Sequence, residues 1–141
     1  MSESATISLL IAEGTQAMRA MLRRALARQS DMRVVGEAAS GSEVIEAIER
    51  LHPAVLLLDM DIVTGDTRFI SKRLVLKDLR ELLPDTKVII LSAYGDPTVK
   101  SLALNAGAGA YLEKPVRIAE LLAAVRAAAT PETPPSATDA G

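Results

Sequence analysis

The 141-residue chain contains no cysteine and no tryptophan, and only three aromatic side chains, Phe69, Tyr94 and Tyr111. Without cysteine there is no disulfide and no thiolate chemistry, a composition compatible with a reducing compartment. So few aromatics give no platform on which single-stranded nucleic acid bases could stack. The net charge of −2 supplies no electrostatic footprint for DNA or RNA. The opening MSESATIS has neither the basic nor the apolar region of a signal peptide. No apolar run approaches the roughly 20 residues of a membrane span. These absences set the expectation of a cytoplasmic protein that binds neither membrane nor nucleic acid through this chain.

What is present is aliphatic. Hydrophobic residues make up 49% of the chain, so a compact globule is expected, with a core of Leu, Ile, Val, Ala and Met. The length suits one domain with a single good core. From Thr130 the composition turns to Pro, Thr, Ser and Ala (TPETPPSATDAG), too little apolar surface to fold. Residues 1–129 are therefore read as the domain and 130–141 as a disordered proline-rich tail or linker.

Strand and helix signals alternate five times along the domain. Ile7 to Ala12 reads as a strand, followed by a helix capped by Thr15 with Met18, Met21, Leu22, Ala25 and Leu26 at helical spacing. Met32 to Ala38 reads as an edge strand, because it carries Arg33 and Glu37. Ser40 or Ser42 can open the next helix, whose inner face is Val44, Ile45, Ile48 and Leu51, and Pro53 separates it from Ala54-Val55-Leu56-Leu57-Leu58-Asp59. An irregular stretch, MDIVTGDTRFISKR, precedes a helix with Val75, Leu76, Leu79, Leu82 and Leu83 inward. Lys87 to Leu91 is the fourth strand. Asp96-Pro97 starts a helix with Val99, Leu102, Ala103 and Ala106 inward, which Gly107 can stop. A short strand at Ala110 to Leu112 precedes the last helix, which buries Ile118, Leu121, Leu122 and Val125. Five such alternations imply an α/β fold, a doubly wound five-stranded parallel sheet with five helices. The flavodoxin-like strand order 2-1-3-4-5 is the most economical.

The unbroken apolar run ending at Asp59 looks like a strand buried on both faces that delivers a carboxylate to its carboxyl end, where open α/β sheets place their chemistry. The plainer alternative is an acid that caps a following helix or loop. Three more polar groups follow strands in the same way: Glu13, Ser92 and Lys114. Two acids, a hydroxyl and an ammonium at one sheet edge suit a carboxylate that accepts a phosphoryl group, with a metal and a lysine balancing the charge. Tyr111, just before Lys114, reads equally well as a core aromatic. His52 reads as exposed, and Arg19, Arg23, Arg24 and Arg28 as the outer face of the first helix.

Over residues 6 to 129 these motifs resemble the receiver domain of bacterial two-component response regulators, and MRVVGEAASGSEVIEAIERLHPAVLLLD resembles receivers that precede LuxR-type helix-turn-helix domains. The resemblance rests on VLLLDM, IILSAYG and AYLEKP. It implies that Asp59 is the phosphoacceptor in a phosphorelay, that Ser92 and Lys114 stabilise the phosphoryl group, and that Tyr111 is the switch aromatic. It further implies a sensor histidine kinase as donor, meeting the first-helix surface, and Mg²⁺ as cofactor. The protein would be a signalling module and not a metabolic enzyme; a homodimer and an effector domain or partner protein stay open.

Two departures stand out. Receivers carry two adjacent acids after the first strand, but Glu13 is followed by Gly14. Asp61 is the residue that could replace the missing acid, giving Glu13, Asp59 and Asp61 as the metal set. The stretch after Asp59, containing Asp61 and Asp66, is also several residues longer than the family's turn, and an extended loop or an extra turn of helix before the third helix is expected there. Two other readings compete. A pseudo-receiver would keep the fold and bind partners without phosphorylation. LLLDMD also resembles the first motif of haloacid dehalogenase-like phosphatases, with Asp59 as nucleophile and Asp61 as general acid, although the acidic pair that should follow the lysine is missing.

Overall fold

The computed structural model describes residues 6–65, 83–93 and 97–130. The strands are β1 (Ile7–Ala12), β2 (Met32–Ala38), β3 (Val55–Asp59), β4 (Lys87–Ser92) and β5 (Ala110–Glu113). The helices among these residues are α1 (Gln16–Ala27), α2 (Gly41–Leu51), α3 (Met60–Gly65), α4 (Pro97–Asn105) and α5 (Ile118–Ala129). The strands form one parallel sheet in the order β2-β1-β3-β4-β5. This is the flavodoxin-like arrangement expected from the sequence. Arg33 and Glu37 do mark an edge strand, and both are exposed.

Alternation along the strands divides the core in two. Leu10, Leu56, Leu58, Val88 and Ile90 pack with Val44 and Ala47 of α2 and Ala103 of α4 on one face. Leu9, Ile11, Leu57, Ile89 and Leu91 pack with Leu22 and Leu26 of α1 and Leu121 and Val125 of α5 on the other. All five residues of β3 are buried, as a strand covered on both faces requires. Each fully buried leucine stabilises the fold by roughly 2 kcal/mol. Gly36 marks a close approach between the sheet and α2. A Cβ there would come within 2.6 Å of Leu51 Cδ1.

The helix ends follow local chemistry. Gly107 (φ 112°) ends α4, with its N–H donating to Leu104 O at 3.1 Å and the Ala108 N–H donating to Ala103 O at 3.0 Å, the paired bonds of a Schellman stop. His52 is exposed and left-handed (φ 47°), and its N–H closes α2 on Ile48 O. Thr15 and Ser40 hold the extended N-cap conformation, but neither hydroxyl makes a cap hydrogen bond.

Of the two options for the stretch after Asp59, an extended loop or an extra turn of helix, the described part is helical, from Met60 to Gly65. Two inward placements need adjustment, those of Met21 and Leu102, which are 36% and 44% exposed. Each lies one residue before a fully buried neighbour (Leu22, Ala103), and a step of about 100° on a helix carries a side chain off the core face. The inward stripe at Val75, Leu76, Leu79 and Leu82 lies outside the described residues, as do Asp66, Asp96 and the tail after Thr130; Leu83 is described and buried. Among the described residues, no helix is long and apolar enough to cross a membrane.

Candidate functional site

The buried polar or charged side chains among the described residues are Glu13, Asp59, Thr86 and Ser92. Three of the four stand at the carboxyl edge of the sheet. Thr86 is at the opposite edge and is accounted for by donating to Pro53 O at 2.8 Å. Burying polar groups costs free energy unless they are partnered, so the three at the carboxyl edge mark where the fold tolerates that cost.

Asp59 ends β3, and Lys114 follows β5 two strands away. The Lys114 ammonium lies 3.0 Å from Asp59 Oδ1 and 3.1 Å from Glu13 Oε1. The first contact is a directed hydrogen bond. The second is an ion pair in which Glu13 Oε1 has no well-directed hydrogen-bond donor. The Lys114 backbone N–H donates to Ser92 O at 2.7 Å, which joins the ends of β4 and β5. The Lys114–Pro115 peptide is cis. Ser92 is 2% exposed at the end of β4, the strand that pairs with β3 on one side and β5 on the other.

The electrostatics follow from burial and proximity. Burial, then the neighbouring Asp59 charge, push the Glu13 carboxyl above its ordinary value, against the opposing pull of the Thr15 N–H and Lys114. For Lys114 burial is the largest single influence and favours the neutral amine. Hydrogen bonds and charge from Asp59 and Glu13 together outweigh it and hold the ammonium above its ordinary value. Lys114 is the internal counterion of two carboxylates.

Both readings of Asp59 are met in one side chain. Its Oδ1 also accepts the Asp61 N–H at 3.1 Å, the bond of an N-cap to the second residue of a helix, here α3. Asp61 itself is exposed. With Gly14, Thr15, Ala39, Ser40, Gly41, Asp59 and Ile62 it lines a cleft of about 270 Å³. A Cβ on Gly14 would meet only Ala39 O, at 3.9 Å, so the missing side chain leaves open space beside Asp59. No group of three His, Cys, Asp or Glu among the described residues is poised to hold a metal ion. Glu13 is drawn to Lys114, while Asp59 and Asp61 border the cleft. Tyr111 is 6% exposed, within the core on the α2 and α4 side.

Sequence reasoning left Arg19 and its partner Glu37 out of the site. Arg19, read as part of the outer face of α1, donates from Nη1 to Glu13 O at 2.7 Å and to Gly14 O at 3.3 Å. Its Nε lies 3.4 Å from Glu37 Oε1, and Arg23 pairs with the same carboxylate. The signal available was an Arg one turn into the helix after β1, with an acid on the neighbouring edge strand.

The family model for the response regulator receiver domain matches residues 9–126. An uncharacterized transcriptional regulatory protein of Bacillus subtilis, YhcZ, is 34% identical over 116 residues, 82% of this chain and 52% of the relative. The oxygen regulatory protein NreC of Staphylococcus carnosus is 31% identical over 120 residues, 85% of this chain and 54% of the relative. The signal receiver domain of the response regulator NarL from Mycobacterium tuberculosis superposes with a TM-score of 0.74 at 27% identity, covering 89% of this chain and 97% of that one. The chain spans about half the length of the curated relatives it matches, and these are named as regulators, not phosphatases. With the sheet order, the buried acids and the matched residues in agreement, the chain belongs to the receiver-domain family of two-component response regulators.

Proposed function

We propose that Asp59 accepts a phosphoryl group from a sensor histidine kinase, and that the gain of charge changes the affinity of this domain for an effector domain, a partner protein or a second copy. The observation that carries this is Lys114 Nζ, 3.0 Å from a buried strand-end carboxylate. Two donors converge on Asp59 Oδ1, so the lone pairs of Oδ2 are the better nucleophile. The P–N bond of the donor phosphohistidine breaks as the P–O bond to Oδ2 forms, and the electron pair returns to the imidazole. Lys114 would offset the charge of the acyl phosphate, and the Ser92 hydroxyl would donate to one of its oxygens. Tyr111 is already buried, so the phosphoryl group would hold it inward rather than draw it in.

Receiver domains generally bind Mg²⁺ at the phosphorylation site. In this chain Asp59 and Asp61, which border the open cleft beside Gly14, would hold the cation, and Glu13 would join them only by turning from Lys114. When bound, the cation would neutralise charge on the transferring phosphoryl oxygens. Glu13 with its exposed-side partner Thr15, Asp59 and Lys114 supply the rest. A phosphorylation-free interaction module is not favoured, because acceptor, hydroxyl and lysine are all retained. In the same reading, residues 1–129 are the receiver and 130–141 a disordered proline-rich tail or linker.

Intact mass after incubation with a small phosphodonor and Mg²⁺ tests the assignment. One added phosphoryl group is expected, absent in Asp59→Asn. Asp61→Asn should weaken Mg²⁺ binding and slow the reaction with the fold unchanged. Gly14→Asp, which the open space accommodates, should tighten Mg²⁺ binding. A wild type that gains no mass while Gly14→Asp does would replace the working receiver with a phosphorylation-free module.

A further inference from the structure

We infer that Arg19 is a positioning residue for the acceptor site, a clamp that fixes the Glu13–Gly14 loop from behind. The inference rests on the proposed phosphoacceptor role of Asp59, although its central claim, that Arg19 holds Glu13 in place, can be tested without it.

Apart from its ion pair with Lys114, the carboxylate of Glu13 has weak support. Oε1 is buried without a well-directed hydrogen bond, and Oε2 accepts only a 3.2 Å bond from the Thr15 N–H two residues away. The next residue is Gly14, which has no side chain to anchor the loop and is exposed. The loop is instead held through its backbone. Arg19 reaches back from α1 to donate to both Glu13 O and Gly14 O, and its side chain is only 17% exposed. Both bonds leave from Nη1, and the rigid planar fork of the guanidinium lets that nitrogen hold the two carbonyls while Nε faces Glu37.

The clamp is itself anchored. Arg19 Nε lies 3.4 Å from Glu37 Oε1 on β2, and Arg23 pairs with the other oxygen of the same carboxylate. Glu37 stands beside Ile11 in the sheet register, two residues before Glu13. The chain of contacts therefore runs from the edge strand through Arg19 to the carbonyls that precede α1, and it sets where Glu13 meets Lys114. Partners that orient a ligating group without touching the reacting atoms typically account for roughly tenfold to a hundredfold in affinity or activity.

The test compares wild type with Arg19→Met, Arg19→Lys and Glu37→Gln. In Arg19→Met, phosphorylation at saturating donor should slow about tenfold and Mg²⁺ should bind about tenfold more weakly, with the donor concentration for half-maximal rate unchanged. Amide hydrogen exchange should quicken at Gly14 and Thr15 while the β3 amides keep their wild-type protection. Arg19→Lys keeps the charge without the fork and should fall between. Glu37→Gln leaves Arg19 in place with a weaker anchor and should shift every readout the same way by less. Should Arg19→Met fail to fold, those two variants carry the test. Variants that lose thermal stability but phosphorylate and bind Mg²⁺ as wild type does would overturn the inference, leaving Arg19 a merely structural residue. If wild type neither binds Mg²⁺ nor accepts a phosphoryl group, the proposed function fails instead. The exchange at Thr15 then decides alone: faster in Arg19→Met supports the clamp, unchanged overturns it.

Discussion

Lys114 and Arg126 both bring a cation against carboxylates, and the pair with the better geometry is the less consequential one. Arg126 donates from Nε to Asp31 Oδ2 at 2.8 Å and from Nη2 to Asp31 Oδ1 at 3.1 Å, with a further bond to Gln29 at 3.0 Å. Lys114 makes one directed hydrogen bond to Asp59 and an imperfect contact with Glu13. The difference is solvent. The Arg126 and Asp31 side chains are 45% and 35% exposed, whereas those of Lys114, Glu13 and Asp59 are 15%, 2% and 4% exposed. Water screens the first pair and competes for its hydrogen bonds. At the second, removing the lone cation leaves two carboxylates uncompensated in a poorly solvated place. A buried cluster with imperfect geometry therefore couples strongly to a change of charge, which is what a phosphoryl switch needs.

Lys114→Met is the largest way to break this contrast. It leaves Glu13 and Asp59 facing each other without a counterion, and should cost about 3 kcal/mol of folding free energy. Chemical denaturation at neutral pH reads that loss, and phosphorylation of Asp59 should fall with it. A loss below about 1 kcal/mol would mean that water reaches the cluster as freely as it reaches Arg126.

Glu13→Gln sharpens the comparison through pH. The folded carboxyl of Glu13 titrates above its ordinary value of 4.5, so the folded state binds that proton more tightly than the unfolded chain does. Stability contributed by the protonated form is present at low pH and lost as pH rises from 4.5 through the folded value. Glu13→Gln should therefore gain stability relative to wild type over that interval and hold a constant difference above it. Lys114 behaves in the complementary range. Its folded value lies above 10.5, so its contribution is complete below 10.5 and disappears only as pH climbs through that higher value. Denaturation curves from pH 4 upward check both signs. A wild-type-minus-variant difference that stays flat between 4.5 and neutrality would show that Glu13 does not sense its burial.

Much of this was legible in the sequence because burial on both faces writes a continuous apolar run. Val55 to Leu58 could be a two-sided strand, and the acid that ends it had to stand at the sheet's edge. Gly107 stops α4 and Pro97 starts it, since backbone restrictions of glycine and proline act locally. The helix beginning at Met60 was legible only as one of two options, a loop or an extra helical turn, because its cap is Asp59 itself, a residue assigned to the strand. Arg19 was illegible for a different reason. Helical spacing places it near the outer face, but the carbonyls it binds belong to a loop whose path only the assembled sheet determines. Periodicity reports which side chains avoid water, not which backbone atoms a long side chain can reach.

The smallest effect belongs to Arg126→Ala. Hydrogen bonding to Arg126 holds the Asp31 carboxyl below its ordinary value, and the pair ties α5 to the turn before β2. Both groups are nonetheless solvated, and exposed pairs lose in side-chain entropy much of what they gain in attraction. The substitution should leave the melting temperature within the scatter of replicate measurements, and phosphorylation at its wild-type rate. If the bidentate geometry mattered in itself, the variant would melt measurably lower, and the deficit would shrink in concentrated salt as screening weakened the wild-type pair. A deficit that persisted in salt would point to lost packing of the arginine stem against the protein surface. Either deficit would weaken the contrast with Lys114, whereas an unchanged melt would support burial, rather than geometry, as the quantity that separates the two clusters.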